Sequence, residues 1–594
     1  MVKNILSAFC IFGSVCSFAQ PVYSSLLKDI FTAHRSSLTE DASDYFEIGK
    51  TNGKLVFRAA SDYVNPTTDT TNKNYELFVS DGTEAGTMLL KDIYPSGSSF
   101  PNSFFTFRDK VYFSANTGGQ DGEGMWVTDG TNAGTTLVKN VRFRAFYNNL
   151  QHPNAIEIDP QHFIFAADST YINTNLYISD GTPEGTYTIK DFNPTGIVSM
   201  TSHAAPGHFT PVANGKVVFS ASTDALGREI YVTDGTAAGT FLLKDINPGT
   251  GDFLKFSDGF THFHSDGQRA YFFANDGVNG AELWVSDGTV DGTVLLKDIN
   301  PGTAGSLRSL TGLATINGIT FFMAKTDANG SELYKTDGTA NGTSLVTDFR
   351  PGSFSGIGDY IAALNGKLIF TGSPDGLEFY MYALDPASST PEKIQFLYRY
   401  SAASQEIPYG PNFIQSNIFC DKLFYNGYNA TGVLPSFVLG VTDGTAEGSG
   451  LILEEFPNPN YTSLAVSFWG SSFIELNEEL FYRGRDAQSG WELYKIPVCA
   501  PFNAVITEVE EPTNTSTDDV RVFPNPSQNR FTVEIPAGQK SGGLTLTDLS
   551  GKVILTEKMT ENRKLIEHQL PAGIYILSFR NTELTAVQKL VISR

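Results

Sequence analysis

Short runs in which apolar residues alternate with polar ones fill most of the chain, and Gly, Pro, Asn and Asp break them at close intervals. A period of two with turn residues at the breaks predicts short strands, not helices. One phrase recurs: an aromatic-rich strand, then Asp-Gly-Thr-x-x-Gly-Thr, then an apolar strand that ends Lys-Asp-Ile in its clearest copies. The turn aspartate falls at Asp81, Asp129, Asp180, Asp234, Asp287, Asp337 and Asp443. Successive copies lie about fifty residues apart, except the last gap of 106, which predicts a degenerate copy at 377–384 with Asp385-Pro386 as its turn. A ninth copy of the same strand starts at Trp491 and has no turn after it.

Each unit resolves into four strands, in the fifth at 260–264, 270–274, 282–286 and 293–299. Four antiparallel strands in about fifty residues is the arithmetic of a propeller blade. The two ends of the array then explain each other. Leu-Leu-Lys-Asp-Ile closes units at 89–93, 242–246 and 295–299, and occurs once more at 26–30 with no unit before it. The ninth unit has three strands (472–476, 479–483 and 491–496) and lacks the fourth. The expected fold is therefore all-β: a closed propeller of nine four-stranded blades, with eight as the alternative. The N-terminal strand completes the last blade and satisfies an edge that would otherwise be bare.

The segments ELFVSDGTEAGTMLLKDI (76–93) and ELWVSDGTVDGTVLLKDI (282–299) resemble the ELWxTDGTxxGTxLVKDI repeats of large exported proteins from Bacteroidetes-type and other bacteria. That resemblance covers roughly 26–496 and implies export, with no activity attached. From 520 the landmarks Val522-Phe523-Pro524-Asn525-Pro526, Leu546-Thr547-Asp548-Leu549-Ser550-Gly551-Lys552-Val553, Leu570-Pro571-Ala572-Gly573-Ile574-Tyr575 and Lys589-Leu590-Val591-Ile592 follow in order. They resemble the type A C-terminal sorting domain of the type IX secretion system. The resemblance implies an outer-membrane translocon and a sortase-like peptidase as partners, and a secreted or cell-surface location. The residues themselves predict a small β-sandwich. The domain plan is a signal peptide at 1–20, the propeller at 21–498, an acidic linker at 499–519 and the sorting domain at 520–594. The signal peptide rests on Lys3, the apolar run 5–18, and Ser17 and Ala19 before the cleavage site. No later run is apolar for long enough to span a bilayer.

The formal charge of −23 argues against nucleic acid and anionic membrane as partners, since both demand a basic patch. Seven copies of one turn aspartate point to architecture, because a catalytic carboxylate occurs once or twice, not in every unit. A second acidic motif precedes the third strand of several units, among them Asp224 with Glu229, Asp276 with Glu282, and Asp375 with Glu378. It is read as turn chemistry plus a Glu paired with a fourth-strand lysine such as Lys244 or Lys297. No cofactor is called for; the oxygen-rich Asp276 and Asn279 are the candidate ligands for calcium, although their spacing is not that of a twelve-residue calcium loop. His262 and His264 alternate on one strand at a spacing zinc would accept, with no third ligand. Cys420, placed on a second strand, and Cys499 are within reach of a bridge if their blades adjoin.

Two insertions between units carry exposed aromatics. Phe143, Phe146 and Tyr147 lie in 142–153, and Tyr398, Arg399, Tyr400 and Tyr409 lie in 398–413. Such rings suit glycan stacking or protein anchoring. The functional expectation is an exported, non-catalytic binding or adhesion protein whose ligand is an extracellular glycan or protein. The alternatives are a polysaccharide-degrading glycosidase or lyase on the same scaffold, and a purely structural surface protein.

Overall fold

Val, Ile, Phe, Tyr and Thr dominate the alternating runs, and their branched or aromatic side chains fit a pleated surface better than a helix. The computed structural model describes residues 23–28, 48–64, 71–118, 122–143, 155–168, 174–192, 206–253, 263–306, 312–388, 390–399, 418–429, 436–451, 453–454, 465–466, 473–486, 490–497, 521–523, 530–535, 542–548, 553–561, 563–568, 570, 573–581 and 585–592. Strands make up their regular structure, with one 3₁₀ turn at Ala213–Gly215 and no α-helix among the described residues. The signal peptide and acidic linker expected from sequence lie outside them. The chain divides into two compact units, Val22–Ala500 and one that takes in Pro501–Arg594.

In the larger unit the repeats become consecutive antiparallel sheets over 48–91, 102–139, 142–190, 207–244, 264–295, 313–347, 357–399 and 418–451. Each is a meander, the first strand of the third being split into Arg142–Phe143 and Ala155–Asp159. The degenerate seventh copy forms a complete one, with Glu378–Leu384 as its third strand. In the fifth sheet the strands are His264–Ser265, Ala270–Asn275, Ala281–Ser286 and Val294–Leu295. The fourth strand is thus shorter than the sequence suggests. Beyond Leu296, the Glu282 carboxyl takes the amides of Ile299 and Asn300 and draws the chain off the ladder. Cys420 also departs from expectation: it sits at φ 47° in the turn between Ile418–Phe419 and Lys422–Asn429, not on the second strand. It is disulfide-bonded, and Cys499 lies outside the described residues.

The ninth sheet joins the two ends of the larger unit. Tyr23–Lys28 runs antiparallel to Gly490–Pro497, with Ser25 opposite Lys495 and Leu26 opposite Tyr494, in the place of a fourth strand. Its other edge pairs in parallel with Leu453–Glu454. Leu27 is buried among Leu55, Phe57, Leu476, Phe481 and Leu493, so the ninth and first sheets share one apolar core. Neighbouring sheets elsewhere do the same, as where Met125, Phe163 and Phe165 meet between the second and third. A repeated polar contact accompanies this packing. Lys54 Nζ donates to the Gly130 carbonyl of the next sheet at 3.3 Å and Lys367 Nζ to that of Gly444 at 3.4 Å. From the ninth sheet, Lys495 Nζ reaches the Gly82 carbonyl of the first at 3.1 Å.

The second unit is a small sandwich. One sheet holds Arg521–Phe523, Arg530–Glu534 and Arg563–Glu567, the other Val553–Met559, Gly542–Asp548, Gly573–Arg580 and Thr585–Ile592. Phe531, Val533, Leu544, Leu546, Leu577 and Phe579 fill its core.

Candidate functional site

A meander sends its first-to-second and third-to-fourth turns from one end of the strands. Its second-to-third turns and the links between sheets leave from the other. The Asp-Gly-Thr turns occupy the first end and are satisfied internally. In all seven, the aspartate Oδ1 accepts the backbone N–H of the threonine two residues on at 2.8–2.9 Å, and its hydroxyl at 2.6–2.7 Å. At Asp81 and Asp337 the threonine hydroxyl is the main reason the carboxyl titrates below its ordinary range. Both turn glycines are required. Gly288 sits at φ 81°, and a Cβ on Gly292 would stand 2.1 Å from Asp287 Oδ1. This end is a row of near-identical, self-satisfied turns.

The other end differs from sheet to sheet, although a buried glutamate underlies much of it. Glu76, Glu229, Glu282 and Glu332 occupy equivalent positions on a third strand, five residues before the turn aspartate, and are nearly inaccessible to solvent. Each clamps the link that leaves its sheet. Glu76 accepts from Ile93 N at 2.8 Å and Ser99 N at 2.9 Å; Glu229 accepts from Ile246 N at 2.6 Å; Glu332 accepts from Phe349 N at 2.8 Å. Burial outweighs these bonds and pushes the carboxyls of Glu229 and Glu332 up to about 8. The expected pairing with fourth-strand lysines does not occur. Lys244 Nζ donates to the Thr293 carbonyl at 3.0 Å, and Lys297 Nζ to that of Thr343 at 2.8 Å, each in the following sheet. A buried carboxyl beside backbone amides needs no lysine, and an ammonium on a flexible stem gains more at a half-exposed carbonyl. Glu378 stands outside this register; its Oε2 accepts the Tyr380 hydroxyl at 2.8 Å.

The candidates read from sequence fall as follows. Asp276 Oδ1 accepts the amides of Val278 and Asn279, and its Oδ2 accepts Asn279 Nδ2 at 2.7 Å. Asn279 thus presents a donor to the carboxylate, which is turn chemistry. Among the described residues no three His, Cys, Asp or Glu side chains converge as a metal site. His264 Nε2 lies 2.7 Å from the Thr315 hydroxyl on the next sheet, and burial pulls its pKa down to about 4. His262, Phe146, Tyr147, Tyr400 and Tyr409 lie outside the described residues. Tyr398 and Arg399 are not in a loop: they end the strand Glu392–Arg399, opposite Phe379 and Glu378. The other insertion opens inside a first strand, since Arg142–Phe143 and Ala155–Asp159 both pair with His162–Asp168.

Three non-repeating groups at this end escaped the sequence reading. Arg142 Nε lies 3.7 Å from both Glu123 Oε2 and Asp168 Oδ2, beside the insertion. In the fourth sheet Arg228 Nη1 donates to the Ser220 hydroxyl at 2.8 Å, which meets His208 Nδ1 at 2.8 Å. His208 stacks on Phe263, with ring centroids 4.8 Å apart. Phe100, in the link to the second sheet, stacks on Tyr75 of the first. The available signal was position: Glu123 and Arg228 stand where the other copies carry Tyr75, Ala281 or Ser331, one residue before the clamp.

The larger unit is defined as an all-β array of sheets, most of them four-stranded, with a constant end and a variable end. The smaller unit can be assigned further: residues 521–593 match the family described as "Secretion system C-terminal sorting domain". The protein therefore carries a type IX sorting tail, engages that secretion machinery and is delivered to the outer surface or the extracellular space. No helix among the described residues is long and apolar enough to cross a membrane. None of the curated proteins compared with the chain matches it. Solved structures with some likeness include puromycin hydrolase, at 12% identity over 70% of this chain and 63% of that one, TM-score 0.29. Prolyl oligopeptidase B from Galerina marginata gives 11% over 65% and 55%, TM-score 0.33. TolB from Acinetobacter baumannii gives 11% over 68% and 77%, TM-score 0.24. The chain spans less than two thirds of the two peptidases, and likeness this weak assigns neither substrate nor activity.

Proposed function

We propose that the larger unit is a closed nine-bladed propeller that serves, once secreted, as a non-catalytic binding protein, and that it holds an extracellular glycan or protein through the variable end of its sheets. The observation that carries this reading is the contrast between the ends. Seven turns at one end repeat the same internal hydrogen bonds, whereas the links at the other differ in length and chemistry and bear the non-repeating aromatic and charged groups. Scaffold repeats, and recognition does not. The shared core and the Lys495 contact between the ninth and first sheets support closure. The test is a glycan array probed with the mature chain. Asp287→Ala, which removes a turn acceptor, is expected to lower stability by about 1 kcal/mol and leave the array pattern unchanged. Loss of binding at unchanged stability would instead make the turns the site.

A further inference from the structure

Phe100 lies in the link between the first and second sheets, in a conformation its side chain opposes. Its φ is 46°, a region that a bulky residue enters only under constraint. The residue nevertheless remains 47% exposed, so burial does not hold it there. The backbone is fastened on both sides: Phe100 N donates to the Tyr75 carbonyl at 3.2 Å, and Asn102 Nδ2 donates to the Phe100 carbonyl at 2.9 Å. Ser99, next in the chain, is gripped through its amide and hydroxyl by Glu76. Behind the ring stands Tyr75, with centroids 5.5 Å apart and planes 29° from parallel, and Arg58 Cζ is 5.9 Å from the Tyr75 centroid. Strain, fastening and a backing ring together present one aromatic face to water.

We infer that Phe100, backed by Tyr75, is a stacking platform for a pyranose ring of an extracellular polysaccharide. This rests on the variable-end reading above and names its site and substrate class. The axial C–H groups of a sugar carry slight positive charge and settle on the negative face of an aromatic ring, while its hydroxyls need polar partners close by. Ser98 and Asn102, two residues to either side, are polar side chains of the link; Ser98 Oγ accepts Tyr75 N at 3.0 Å and Asn102 Nδ2 holds the Phe100 carbonyl, while an amide side chain has donor and acceptor capacity beyond one such bond. A protein anchor would ask for an apolar surround that excludes water, and the residues beside Phe100 in the chain are Ser98, Ser99, Pro101 and Asn102. Glu76 acts as a positioning residue.

The experiment compares the wild-type mature chain with F100G and F100Y by native affinity electrophoresis in xylan, laminarin, mannan and polygalacturonate, and by thermal melting. The wild type is expected to be retarded by at least one polysaccharide. F100G should leave the melting temperature close to that of the wild type, because relief of the positive φ offsets glycine's greater chain entropy, and weaken retention at least tenfold. F100Y should be retained like the wild type. Retention of F100G equal to wild type overturns the platform and leaves the broader reading standing. A fall of many degrees in the melting temperature of F100G, beyond what glycine's chain entropy accounts for, makes Phe100 a packing residue and also overturns it. A wild type held by none of these polysaccharides, or only by gelatin or casein beads, removes glycan recognition at both levels.

Discussion

The clamp glutamates show how one residue type acquires a new role through its surroundings. Desolvation raises the Glu229 and Glu332 carboxyls from the ordinary 4.5 to about 8, with Asp245 and Asp348 respectively adding repulsion. A folded-state pKa above the unfolded one means that the fold favours the protonated acid. The stability these groups contribute is complete below about pH 4.5 and drains away as pH rises through 8. Melting temperatures recorded at pH 5, 7 and 9 should therefore fall more steeply for the wild type than for Glu229→Gln with Glu332→Gln, whose amides stay neutral throughout. Parallel curves would mean the carboxyls are ionised in the native protein.

Among the elements, the N-terminal strand bears the largest single consequence. Tyr23–Lys28 covers the edge of the ninth sheet and places Leu27 in the core shared with the first. Deleting 21–30 exposes a strand edge and removes a buried leucine, so a loss of about 2–4 kcal/mol is expected. The truncated protein should melt lower and self-associate in sedimentation, and an unchanged melting temperature would show that the array of sheets does not depend on this strand. The strand was legible in the sequence because it repeats a fourth-strand motif with no unit before it. The shortness of the true fourth strands was not, because the Glu282 carboxyl that ends one of them lies far from it in sequence, on the preceding strand.

For the molecule as a whole, the two units have separate cores, one built on the repeats and one on Phe531, Leu546 and Phe579. Removing 521–594 should leave the melting of the Val22–Ala500 unit unchanged and stop release from the cell. Calorimetry of the truncated protein and immunoblots of medium against cell fractions check the two halves of this expectation. Normal levels in the medium would mean the tail is dispensable for export.

The sequence by itself determined what is local or repeated. The period of two, the Asp-Gly-Thr-x-x-Gly-Thr turns, the unpaired Leu-Leu-Lys-Asp-Ile and the landmarks of the tail are each written in neighbouring residues, and turn geometry follows from them through short-range sterics and hydrogen bonds. The tertiary structure decided what depends on side chains from separate strands meeting. Lys244 was expected to pair with a glutamate and instead crosses to the next sheet. Arg142 was read as part of an insertion and instead lies between Glu123 and Asp168. Phe100 drew no notice, because an aromatic residue before a proline looks like any other loop residue. Its strained φ and outward ring arise only when Tyr75 and Glu76, more than twenty residues earlier, fasten the link to their own strand. Such fastening is a property of packed sheets, and alternation along a chain does not encode it.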